Sequence, residues 1–82
     1  MTWRLIRSDG FDAYTNMALD EAISERVADG APPVIRFYTW GPSAVSIGYF
    51  QKLRDEVDVA TCEERGIDYV RRRTGGGAVY HD

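Results

Sequence analysis

Three consecutive glycines, Gly75-Gly76-Gly77, stand between two runs of β-forming residues, Ile67 to Val70 and Ala78 to Tyr80. No helix runs through such a step, so the end of this chain must fold as strand, loop and strand. Glycines also let a backbone take positive φ and approach a ligand with no Cβ in the way. Arg71-Arg72-Arg73-Thr74 lead into the step, and His81-Asp82 follow it. Two readings of the residues stand side by side. The segment is either a flexible turn behind a solvated strand end, or an anion cradle built from guanidiniums and converging backbone N–H groups. The pattern is not a P-loop, because no Gly-Lys-Ser/Thr follows. Nor is it a dinucleotide-binding turn, because Ala78-Val79-Tyr80 favours a strand over a helix.

Charge and composition narrow the choice. The 82 residues carry a net charge of −3, and basic residues concentrate at Arg71 to Arg73 while acidic ones crowd Asp55 to Glu64. A local positive point on an acidic chain suits a small anionic ligand, and no nucleic-acid partner is expected. The single histidine, His81, leaves no basis for a multi-histidine metal site, and no metal ligands are assigned. The single cysteine, Cys62, forms no intrachain disulfide and reads as a small core residue. With no long apolar run and no secretory pattern, no membrane association is expected, and the location is read as cytoplasmic.

Periodicity gives the elements. Trp3 to Arg7 alternates as a first strand, and Ser8-Asp9-Gly10 reads as a turn. A helix starts from Asp12 as N-cap, with Tyr14, Met17, Ala18, Ala22 and Ile23 as its apolar face, and stops at Asp29-Gly30. Val34 to Trp40 and Ala44 to Phe50 are strands; the short Gly41-Pro42-Ser43 link between them predicts an antiparallel hairpin. Asp55 to Arg65 is a second helix, with Val57, Ala60, Val59 and Cys62 inward, stopped by Gly66. Ile67 to Val70 is a fourth strand and Ala78 onward a fifth. The order β-α-β-β-α-β-loop-β predicts an α+β fold with a mostly antiparallel sheet backed by helices. So few residues remain for the fifth strand that residues 1–82 read as the N-terminal portion of a larger catalytic domain, truncated at its C-terminal end.

Residues 71–82 resemble the signature Arg-Arg-x-Ser/Thr-Gly-Gly-Gly-Ala-Val-Phe/Tyr-His-Asp of the lipoate–protein ligase A family, in the biotin/lipoate ligase superfamily. Asn16-Met17-Ala18-Leu19-Asp20-Glu21 is similar to that family's first-helix pattern, and Phe37 to Gln51 to its strand–turn–strand ending in Ile-Gly-x-x-Gln. The resemblance implies activation of lipoate by ATP with Mg²⁺ to lipoyl-AMP, then transfer of the acyl group to a carrier lysine. The carriers implied are 2-oxoacid dehydrogenase E2 subunits and the glycine cleavage H protein, with a separate accessory subunit in some members. By motif position Arg72, Thr74, Gly75, Gly76, Gly77, Ala78, Val79 and Tyr80 would contact the nucleotide or lipoyl-AMP. Trp40 would line the lipoyl pocket, and His81 is a weaker site candidate. Strand alternation turns Arg71 and Arg73 away from Arg72, leaving one arginine as the ligand contact. Asn16, Asp20 and Glu21 read as the solvated face of the first helix.

The family's essential lysine is expected beyond residue 82. Lys52, the one lysine here, does not match it, so the chain alone is expected not to ligate. The main alternative is an octanoyltransferase of the same superfamily, which moves acyl chains between carriers without ATP and uses a downstream cysteine. A non-catalytic nucleotide- or acyl-binding fragment is a third reading. The intact Gly-Gly-Gly-Ala-Val-Tyr-His run favours the ligase.

Overall fold

A computed structural model of the chain describes residues 2–82. Strand β1 (Arg4–Phe11) leads into helix α1 (Ala13–Ala28), and β2 (Val34–Trp40) follows. Next come β3 (Ala44–Ile47), the short helices α2 (Leu53–Glu56) and α3 (Val59–Arg65), β4 (Asp68–Arg71) and β5 (Val79–His81). The α+β class holds. The strands form two sheets, β1-β2 and β4-β3-β5.

The pairing departs from the predicted hairpin. β2 does not pair with β3 but lies parallel to β1, with Arg4 beside Val34. β3 lies parallel to β4 and antiparallel to β5. Two of the three pairings are therefore parallel, because each is closed by a crossover through helix, α1 in the first case and α2–α3 in the second. Gly41 redirects the chain from one sheet to the other. Its N–H donates to the Phe11 carbonyl at 2.9 Å, and a Cβ there would lie 2.6 Å from the Gly10 carbonyl oxygen. The Ser8-Asp9-Gly10 turn signal is an irregularity inside β1, where the register slips between Ser8 and Phe11.

Asp12 caps α1 as expected, accepting from the Thr15 N–H at 2.7 Å, which holds its carboxyl below the usual carboxylate range. The inward face of α1 is rotated from the predicted one. Ala13 and Asn16 are buried and Met17, Asp20 and Ile23 half-buried, whereas Tyr14, Ala18 and Ala22 are exposed. The rotation follows from the polar pair Asn16 and Asp20, which meet Arg36 of β2. The predicted second helix is broken at Val57-Asp58. Val57 is extended and enters the core, and Asp58 starts a new helix by accepting from the Thr61 N–H at 3.1 Å. Gly66 ends α3 at φ 68°, the left-handed stop the sequence predicts.

Two small cores result. Ala13, Ala44 and Val70 pack with Met17 and Trp40 between α1 and the sheets. Ile47, Val57 and Cys62 pack with Leu53, Val59, Ile67 and Tyr69 under α2 and α3, so Cys62 is the core residue expected.

Candidate functional site

The segment after β4 is held by its side chains. Arg71 sends Nη1 to the carbonyls of Tyr49 (2.7 Å) and Gln51 (2.6 Å), with Gly48 O at 3.3 Å. The 48–51 turn is itself closed by Gln51, whose Oε1 accepts from the Gly48 N–H at 2.8 Å while its N–H donates to the Gly48 carbonyl. That gives the Ile-Gly-x-x-Gln pattern a mechanical meaning: the glutamine locks the turn. Gly48 is glycine for a further reason. A Cβ there would fall on the carbonyl oxygen of Gly76, with Gly75 C at 3.1 Å. The end of β3 and the glycine loop thus touch backbone to backbone.

Arg72 organises the loop. Nη1 donates to the Ser46 carbonyl (3.1 Å) and Ser46 Oγ (2.7 Å), and Nη2 to the carbonyls of Gly75 (3.0 Å) and Gly77 (2.8 Å). The Thr74 carbonyl accepts from the Tyr49 N–H at 2.8 Å. The carbonyls of Thr74, Gly75 and Gly77 are therefore all turned inward and engaged. In a trans peptide the N–H points opposite to its C=O, and the described residues contain no cis bond. The N–H groups of Gly75, Gly76 and Ala78 accordingly face away from Arg72 and Tyr49. Gly76 makes this possible at φ 99°.

A cavity of about 280 Å³ lies beside the loop's start, lined by Met17, Asp20, Tyr38, Thr74 and all three arginines, among others. β4 ends at Arg71, so strand alternation no longer governs the next two residues, and Arg71 and Arg73 border this cavity together with Arg72. Arg73 pairs with Glu21 at 2.9 Å and approaches Glu25 at 3.5 Å on the exposed face of α1. Gly75 to Tyr80 lie outside this lining, and Val79 and Tyr80 are exposed on β5.

Trp40 is not in the lining either; it packs on Ala13, Ala44 and Val70. Its ring stacks on His81 at 4.1 Å, and His81 Nε2 lies 2.8 Å from Ser46 Oγ. Burial, and then the Arg72 charge, hold the imidazole below its ordinary pKa.

Beneath the cavity floor is a network that the sequence reading missed. The Arg36 guanidinium donates to Asp20 Oδ1 (2.8 Å), Asn16 Oδ1 (2.6 Å) and the Asn16 carbonyl (3.2 Å). Asn16 Nδ2 in turn donates to the carbonyls of Phe11 and Thr39. Tyr38 donates to Asp20 Oδ2 at 3.0 Å, and burial, then Asp20, push its phenol above the ordinary range. Asn16 is thus internal, Asp20 is half-exposed with its carboxylate tied to Arg36 and Tyr38, and Glu21 fits the solvated face. The signal available was parity. Arg36 shares the inward face of β2 with Val34, Tyr38 and Trp40, where a lone charge needs a partner.

A family model described as the lipoyl protein ligase A/B catalytic domain matches residues 12–82. The chain is 52% identical over 82 residues to octanoyltransferase LipM of Moorella thermoacetica, covering 99% of the chain and 30% of that protein. Its fold matches a crystal structure of lipoate-protein ligase A bound with ATP (TM-score 0.85, 43% identity), covering 100% of the chain and 33% of the other. It also matches a bi-partite lipoate protein ligase from Thermoplasma acidophilum, described with its E2 lipoyl domain (TM-score 0.76, 41% identity), covering 100% and 32%. The chain spans about 30% of the length of the curated relatives it matches. Relatives at 48–52% identity across nearly the whole chain carry the octanoyltransferase name. They overturn the ligase reading drawn from the glycine run and favour its alternative, acyl transfer. The intact run is no mark of adenylation, because the same third of the molecule is matched in proteins of both names.

Proposed function

We propose octanoyl transfer between carrier proteins as the function in which this chain takes part, since it belongs to the lipoyl protein ligase A/B catalytic domain family. Members of that family bear the names of enzymes, ligases and transferases of lipoyl-type groups. In this reading residues 1–82 are the N-terminal portion of a larger catalytic domain. They supply the acyl-binding surface, and the nucleophile lies elsewhere. The observation that carries it is the loop's inward carbonyls, which leave the N–H groups of Gly75, Gly76 and Ala78 on the opposite side. Amides so fixed suit the oxygen of a thioester or amide carbonyl as it gains charge, and need no reorganisation during reaction. Arg72 then acts as the brace of that loop, its Nη1 and Nη2 groups already engaged by the chain.

The apolar part of the cavity, Met17 with the ring of Tyr38, is of a kind that takes the start of an acyl chain. Trp40 serves the site from behind, by seating His81. The acceptor is a lysine of a lipoyl-type carrier domain. A transfer between carriers uses neither ATP nor Mg²⁺. The test is to offer the full-length enzyme that contains this chain an octanoylated donor carrier and an unmodified lipoyl domain, with and without ATP, and to weigh the acceptor by mass spectrometry. Octanoyl appearing without ATP supports the proposal; modification that appears only with ATP overturns it.

A further inference from the structure

Ser46 holds a position that the glycine loop alone does not explain. It is fully buried, at the centre of β3, and both of its oxygens accept from Arg72 Nη1. With one Oγ lone pair taken by a cation, the hydroxyl proton has to go elsewhere, and a buried O–H left unpaired is costly. His81 Nε2, at 2.8 Å, is the acceptor the structure offers it. Nε2 then carries the lone pair, and the ring proton sits on Nδ1. The opposite assignment would put two donors, Arg72 Nη1–H and His81 Nε2–H, on one hydroxyl oxygen and strand its proton.

The elements packed against the imidazole agree. β3 presents Ser46, β2 presents the face of Trp40, and the segment after β4 presents Arg72, the one charge among them. Stacking on an indole favours a cation, but burial and the Arg72 charge oppose one.

We propose that Ser46 is a positioning residue that fixes His81 as the neutral Nδ1–H tautomer, so that His81 enters acyl transfer as a hydrogen-bond donor and not as a base. The second half rests on the acyl-transfer reading above; the first does not. A neutral imidazole whose Nε2 is already engaged cannot take a proton there without breaking the Arg72–Ser46–His81 chain. That chain reaches the loop through Gly75 O and Gly77 O. The polar position left to the ring is Nδ1–H.

The experiment has two arms. In the first, ¹⁵N and ¹³C spectra of the imidazole, assigned by the resonance lost in His81→Gln, report the tautomer directly at neutral pH. The expected result is Nδ1–H in the native protein and in Ser46→Thr. Ser46→Ala should shift the ring toward Nε2–H and raise its titration midpoint. An Nε2–H ring in the native protein overturns the proposal whether or not Ser46→Ala folds. In the second arm, kcat of the full-length enzyme is compared for His81→Asn, whose amide nitrogen replaces Nδ1, and His81→Gln, whose amide nitrogen replaces Nε2. A donor at Nδ1 predicts that Asn retains at least tenfold more activity than Gln; equal loss in both overturns the donor role. If the native protein transfers no acyl group, the first arm still decides the tautomer.

Discussion

A single amide, Asn16, is the residue on which the first sheet turns. Buried beside Arg36, it accepts from that guanidinium and donates to two carbonyls of different strands. Asn16→Ala removes these three hydrogen bonds, while the Phe11 carbonyl keeps the Gly41 N–H and Arg36 keeps Asp20. At about 0.5–1.5 kcal/mol for each hydrogen bond lost, unfolding in urea should show a loss of about 1.5–4.5 kcal/mol. Asn16→Asp should also destabilise, because it turns a carboxylate oxygen toward the Phe11 and Thr39 carbonyls in place of an N–H. Gly48→Ala tests the site. Its Cβ would displace the Gly75-Gly76 backbone, and displacements near 1 Å at a reacting centre cost about 100-fold in rate. Steady-state transfer assays on the full-length enzyme should show that loss in kcat, with a much smaller change in melting temperature. Neither role was legible in sequence alone. Asn16 and Asp20 read as solvated because an amphipathic helix normally turns such side chains outward. The partner that engages both, Arg36, sits on a strand that pairs with β1 and not, as the short link predicts, with β3.

Helix caps were the most legible elements, since a cap is a local hydrogen bond between neighbours in sequence: Asp12, Asp29-Gly30 and Gly66 all lie where composition put them. The same locality hid the break at Val57-Asp58. There a valine drawn into the core beside Ile47 and Cys62 outweighs helix continuity. Strand partners were the least legible, because a three-residue link fixes only where the chain goes next, not which sheet it joins. Gly66→Ala probes an element boundary. At φ 68° with open space around the missing Cβ, the cost is conformational strain and not a clash. A destabilisation of about 1–2 kcal/mol is expected, reduced in Gly66→Asn, with denaturant midpoints as the measurement.

At the scale of the molecule, extents of 45 × 26 × 15 Å describe a thin plate, and the radius of gyration of 14.1 Å exceeds the about 12 Å of a compact chain this long. Leu5, Ile35 and Phe37 are exposed on the side of the first sheet away from α1. Stability should respond to acid in two steps. The folded state holds His81 below its ordinary value of about 6.5, so the unfolded chain binds a proton that the folded one refuses. Melting temperature should be level above that pH, fall as pH drops below it, and level off past the folded midpoint; His81→Gln should abolish this step. A second fall belongs to Asp12 and Asp58. Their lowered values stabilise the fold above the ordinary carboxylate range and lose that effect as pH falls through the folded values. Ligase or transferase was not legible here, because this third of the molecule is matched in proteins of both names. The two crossovers carry a consequence in time. Arg4 must find Val34, and Ala44 must find Asp68, across intervening helices, so neither pairing starts from a tight turn. Closure entropy is spent before such contacts give anything back. The glycine segment anchors to Ser46 and Tyr49 only once the second crossover has closed. A refolding chain should regain helical circular dichroism early and its anchored glycine segment late, with the candidate site as the last thing the fold produces.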